Sequence, residues 1–145
     1  MIISRNLSTA RQRFSEVYTE TYAQYRPSVI KRNKGEEILL LRSDLQKMLL
    51  QKHTIITNVI REDDGSVTIT TEPLDLYANA DNEDAAINEL IQEMKDYAND
   101  YLDRASFFLQ SPNRRDHFPY VLRISLCQSD QEIRQMLEVK HASEV

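Results

Sequence analysis

The chain has 145 residues, 41% hydrophobic and 28% charged, with two glycines and a formal net charge of −5, which suits one folded domain or two small ones. Its single cysteine, Cys127, excludes an internal disulfide and has no Cys or closely spaced His beside it to suggest a zinc site. No apolar run approaches the roughly 18 residues of a spanning helix, and no basic-then-apolar leader opens the chain, so a cytoplasmic protein with no membrane partner is expected.

The modest net charge hides an asymmetry. Residues 1–53 hold ten Lys or Arg against five Asp or Glu, a balance of +5, and the remainder holds eight against eighteen, a balance of −10. A basic head joined to an acidic body suggests two partners of opposite sign, with nucleic acid the usual partner of the basic part.

Taken in order, Ile2 and Ile3 are β-branched residues that suit a short opening strand. Asn6 or Ser8 can cap a helix that must end before Pro27. Within it Ala10, Phe14, Val17, Tyr18, Tyr22 and Tyr25 recur at spacings of three and four, which predicts a core face with Arg11, Arg13 and Glu16 directed elsewhere. Residues 28–32 and 37–42, rich in Val, Ile and Leu, flank Asn33-Lys34-Gly35 and predict a hairpin. Ser43 is expected to cap a short helix through about Gln51, with Leu45, Met48 and Leu49 on its apolar side. A unit of some 50 residues buries too little surface to be secure alone, and pairing with a second copy is the simplest remedy.

Residues 53–61 and 66–71 predict a second hairpin around Glu62-Asp63-Asp64-Gly65, with one face packed and the other partly wet. The run 78–84 reads as a loop in which Asp81 or Asn82 caps the longest helix, from about Asn82 to Leu109. Ser111-Pro112-Asn113 breaks it. A helix through Tyr120, Val121 and Ile124 follows, and a third runs from Ser129 to about Val139, opened by the capping box Ser129-Asp130-Gln131-Glu132. The tail beyond Lys140 is expected to fray.

The run Leu7-Ser8-Thr9-Ala10-Arg11-Gln12-Arg13-Phe14, the hairpin opened by Pro27 and turned at Gly35, and Ser43-Asp44-Leu45 stand in that order over the first third of the chain. Together they resemble the N-terminal unit of the Phd/YefM (prevent-host-death) antitoxins. The second half lacks that family's short toxin-wrapping tail; its Asp-Gly hairpin, acidic loop and Ala- and Glu-rich helix look like part of the HicB pattern and of RelB-like antitoxins with a longer folded C-terminal region. The fold class expected is therefore α+β: a strand, helix, β-hairpin and short helix in residues 1–52, then a β-hairpin and a helical region with one long helix in residues 53–145. The resemblance implies a homodimer whose first domain binds operator DNA and whose second binds a cognate RelE-, HicA- or Doc-like toxin, expected to be an mRNA-cleaving one. It makes Arg11 and Arg32 the DNA-contacting pair, with Arg13, Lys34 and Arg5 as further basic candidates on the same unit. No toxin-contacting residue is singled out, although Glu89, Glu93, Asp96 and Asp100 supply acidity on the long helix.

Catalysis draws little from the sequence, and neither a catalytic residue nor a cofactor is expected. His53, His117 and His141 have no metal-binding spacing, and Asp63-Asp64 is most simply turn chemistry. Two glycines cannot form a phosphate-cradling loop. Arg114-Arg115-Asp116-His117 could act on a phosphodiester or could anchor a loop. A stand-alone DNA-binding regulator or adaptor with a C-terminal protein-interaction domain is the alternative to an antitoxin.

Overall fold

The computed structural model describes residues 1–142. The chain divides into two compact units, Met1–Leu49 and Leu50–Val145.

The first unit is built on a three-stranded sheet in the order β1-β2-β3. Strand β1 (Ile3–Asn6) runs parallel to β2 (Ser28–Lys31), in a register from Ile3 opposite Ser28 to Asn6 opposite Lys31. Strand β3 (Glu37–Leu40) returns antiparallel, Lys31 opposite Glu37. Gly35, at φ +83°, takes the left-handed position of the turn between them. The crossover from β1 to β2 is helical, since parallel neighbours cannot be joined by a tight turn. Asn6 caps it by accepting from the Thr9 N–H at 2.8 Å.

Two expectations for this crossover are corrected. It is two helices, α1 (Leu7–Gln12) and α2 (Phe14–Ala23), parted at Arg13, whose backbone leaves the helical region at φ −118°, ψ 33°. The apolar spacing runs through that residue unbroken, so periodicity could not reveal the step. The predicted core face is also mostly not a core: Ala10 and Val17 are buried with Ile30, whereas Phe14, Tyr18, Tyr22 and Tyr25 are each more than half exposed. Three four-residue strands cover only two of the six side chains the stripe presents. The unit closes with α3 (Ser43–Leu50), which begins one residue earlier than expected: the Arg42 carbonyl accepts from Leu45 and Gln46, placing Ser43 inside the first turn.

The second unit has a four-stranded sheet, β6-β5-β4-β7. Strands β4 (Ile55–Arg61) and β5 (Val67–Glu72) form the predicted hairpin, with Gly65 at φ +89° in the turn. Ile55, Thr57, Val59, Val67, Ile69 and Thr71 point to the packed face, as the alternation predicts. Against them lies α4 (Glu83–Asp103), capped by Asn82 and burying Ile87, Leu90, Ile91, Met94 and Tyr101. Then come α5 (Ala105–Gln110), a 3-10 turn at Arg115–His117, α6 (Phe118–Ser125) and α7 (Asp130–Met136), the last with Ser129 Oγ accepting from the Glu132 N–H.

Three more expectations change here. The long helix stops at Asp103, because Arg104 (φ −126°, ψ 39°) steps out of the helix before α5 resumes. Residues 78–80 of the expected loop belong, with Tyr77, to strand β6 (Tyr77–Ala80), antiparallel to β5, although Ala and Asn are poor strand formers. The sheet supplies what propensity lacks: Ala78 packs into the core, and the Asn79 amide donates to Ser66 Oγ and Thr68 Oγ1 at 3.1 and 2.9 Å. Finally, the third helix ends at Met136, and β7 (Leu137–His141) pairs parallel with β4, Ile55 opposite Leu137. The strand holds His141, and Ala142 N–H still reaches the Val59 carbonyl at 3.1 Å, so the fraying expected beyond Lys140 does not begin there; the rest of the tail lies outside the described residues.

Candidate functional site

The basic residues of the first unit are set by the sheet register. Because Asn6 lies opposite Lys31, the start of α1 and the tip of the β2–β3 hairpin occupy one end of the unit. Leu7 and Arg32 line the same cavity of about 400 Å³, with Ile30, Gly35 and Ile38. Arg11 stands four residues, or about 6 Å of helix rise, beyond Leu7.

The five candidate residues differ in freedom. Arg11 and Lys34 are exposed, and no salt bridge holds either of them among the described residues. Arg13 faces Glu16 at a loose 3.8 Å with both side chains about two-thirds exposed. Arg32 is aimed rather than free: its Nε donates to Glu36 Oε2 at 3.0 Å, while its side chain stays 66% exposed. Such an exposed pair costs little to exchange for a phosphate. Arg5 is different, held by Glu20 and by Ser28 Oγ (3.0 Å), with only 15% of its side chain exposed. It ties α2 to β1 and β2.

Beside these charges runs the aromatic stripe. The rings of Tyr18 and Tyr22 stack at 6.0 Å. The Arg42 guanidinium lies over Tyr22 and Tyr25 at 4.3 and 4.0 Å, donates to the Tyr22 carbonyl at 2.8 Å and pairs with Asp44 at 2.9 Å. This clamp fixes the C-terminal end of the stripe in place. Nothing in the sequence pointed to Arg42, because its aromatic partners lie some twenty residues away.

In the second unit His117 is buried and Arg114 half-buried, while Arg115 and Asp116 between them stay exposed. His117 Nδ1 and the Tyr97 hydroxyl are hydrogen-bonded at 2.6 Å, and the imidazole also interacts with the Pro73 backbone. Arg114 Nη1 donates to the same hydroxyl, and the Arg114 carbonyl accepts from Tyr101 at 2.9 Å. These contacts anchor the segment to α4, which is the loop-anchoring alternative read from the sequence. Burial, then the Arg114 charge, pushes the imidazole below its ordinary pKa, with Asp75, Asp116 and the Pro73 bond opposing. The unfolded chain therefore binds this proton more readily. The stability His117 contributes is complete above the ordinary value of about 6.5 and is lost as pH falls through it. The melting temperature is expected to drop between neutral pH and pH 5, and His117→Asn is expected to flatten that part of the profile; an equally steep variant profile would assign the dependence to other groups.

On α4, Asp100 pairs with Arg104 at 2.8 Å and Asp96 accepts from Gln92, whereas Glu89 and Glu93 are exposed and enter no ion pair among the described residues. Among the described residues no three His, Cys, Asp or Glu are grouped to hold a metal ion, and no helix is long and apolar enough to cross a membrane.

Comparison with known proteins bears on both units. Residues 1–139 match a family model described as PHD-like, antitoxin of toxin-antitoxin, RelE / RelB, TA system. A crystal structure from Syntrophomonas wolfei subsp. wolfei, described as an antitoxin part of a toxin/antitoxin system, is similar at 26% identity and a TM-score of 0.86, over 97% of this chain and 100% of that one. No curated protein matches.

Proposed function

The chain belongs to the PHD-like family of antitoxins of RelE/RelB toxin-antitoxin systems, and from that premise we propose how its two units divide the work. The first unit is of the Phd/YefM type, pairs with a second copy through its aromatic stripe, and binds operator DNA to repress its own operon. The second unit binds an RNA-cleaving toxin and neutralises it by covering the toxin's site, which requires no chemistry from the antitoxin. A negatively charged unit suits a positively charged nuclease, since opposite fields speed encounter and penalise wrong partners.

One observation carries the DNA-binding half of this reading. The basic unit keeps Arg11, Arg13, Arg32 and Lys34 in solvent while leaving four aromatic side chains uncovered. Pairing across that stripe would double the charges, as a two-fold operator requires. Arg5, spent on Glu20 and Ser28, enters as a residue that positions α2 rather than as a phosphate contact.

Arg11→Ala combined with Arg32→Ala removes two side chains per protomer, and good base-edge contacts are worth about 1–3 kcal/mol each. Operator affinity in a gel shift is expected to fall by about a hundredfold or more on that basis. Growth rescue from the co-expressed toxin is expected to persist. Unchanged operator affinity would defeat the assignment.

A further inference from the structure

The four-stranded sheet of the second unit has two edges, and they are finished differently. Edge β7 carries Glu138 and Lys140, paired with each other at 3.8 Å, and His141 paired with Glu83. Alternating charge of this kind discourages strand addition. Edge β6 reads Tyr77-Ala78-Asn79-Ala80, with no charge and no proline. It is the unguarded edge.

The hydrogen-bond phase shows what β6 offers. Thr71 N–H donates to the Leu76 carbonyl at 2.9 Å, so residues 71 and 76 form a hydrogen-bonded pair. In an antiparallel ladder such pairs alternate. With Ile69 opposite Ala78 and Thr70 opposite Tyr77, the backbone groups of Ala78 and Ala80 point at β5. Those of Tyr77 and Asn79 point away from it, where no further strand lies among the described residues.

That edge opens onto a groove of about 600 Å³ between β6 and α4, walled by Asp75, Glu89, Gln92 and Glu93. Glu89 and Glu93 sit four residues apart on one helix face, an arrangement that mildly destabilises a helix, and neither enters an ion pair among the described residues. Tyr77, 70% exposed, flanks the same groove.

We propose that this groove is where the toxin docks: an extended, Lys- or Arg-bearing segment of the basic partner adds as a strand to β6, bonding to the backbone of Tyr77 and Asn79 while its cations meet Glu89, Glu93 and Asp75. Main-chain bonds give such a contact its affinity and the carboxylates its choice of partner. The inference rests on the reading of the second unit as toxin-binding.

The test uses the full chain with the toxin encoded beside it. Toxin binding by the wild type establishes the antitoxin reading on its own; a wild type that leaves the toxin unbound overturns both that reading and this docking. Given binding, Glu89→Lys with Glu93→Lys is expected to weaken affinity by about tenfold or more at low salt. Tyr77→Pro, which removes an outward N–H without touching a bond to β5, is expected to weaken it comparably. Glu138→Lys on the other edge is expected to change little. Hydrogen exchange in residues 76–80 is expected to slow on complex formation. Full affinity in the groove variants, or slowed exchange confined to β7, overturns the proposal while leaving the antitoxin reading standing.

Discussion

A chain carrying Phe14→Asp and Tyr18→Asp is expected to sediment as a monomer at micromolar concentration and to lose most of its operator affinity. Both side chains are more than half exposed in the single chain, 54% and 59%, so their replacement leaves the buried Ala10, Val17 and Ile30 cluster untouched. Their cost falls on the paired state proposed above. Burying a large apolar side chain is worth about 1.5–3 kcal/mol, and a dimer loses four of them while gaining four desolvated carboxylates. A micromolar association is held by only about 8 kcal/mol, so the pair should come apart. DNA affinity follows, because a lone unit forfeits the effective-concentration gain of about 10²–10⁴ that two linked half-sites provide. Sedimentation velocity with a gel shift reads both effects, and far-UV circular dichroism checks the fold. A variant that still sediments as a dimer would remove the stripe from the interface.

Tyr101→Ala is expected to be the most damaging single substitution in the second unit. Tyr101 is completely buried, its ring stacks on Phe108 at 4.7 Å, and its hydroxyl donates to the Arg114 carbonyl. Burial pushes the phenol above its ordinary pKa, so it stays a donor at any physiological pH. Truncating a buried aromatic costs about 3–5 kcal/mol through lost transfer energy and the cavity left behind. Against a typical total of about 5–15 kcal/mol, that is a large share. Tyr101→Phe separates the two contributions: it keeps the stacking and removes one of the two bonds to the Arg114 carbonyl, which still accepts from the His117 N–H at 3.0 Å, for about 0.5–1.5 kcal/mol. Urea unfolding of both variants gives the measurement, and an Ala variant with an unchanged midpoint would show that the pocket closes over the loss.

Charge and composition alone separated a basic N-terminal stretch from an acidic remainder. Local signals also placed what depends on neighbours in the chain: the Ser129 cap, the turns at Gly35 and Gly65, and the apolar side of α4, and they narrowed two further caps to Asn6 or Ser8 and to Asp81 or Asn82, of which the fold uses Asn6 and Asn82. These follow from backbone groups and side chains within a few residues of each other, which a sequence displays directly. The helix breaks at Arg13 and Arg104 escaped it, because one residue leaving the helical region does not disturb a three-and-four spacing.

Tertiary structure decided the rest, and for one reason. Whether an apolar face is covered, and whether a weak segment becomes a strand, depends on partners far along the chain. Tyr18 and Tyr22 carry the same periodic signature as Val17, yet the sheet beneath them is too small to bury all three. Residues 77–80 and 137–141 become strands only because β5 and β4 present unsatisfied backbone groups to them. The exposed aromatic stripe and the open β6 edge, the two surfaces proposed for partners, therefore exist only in the folded chain.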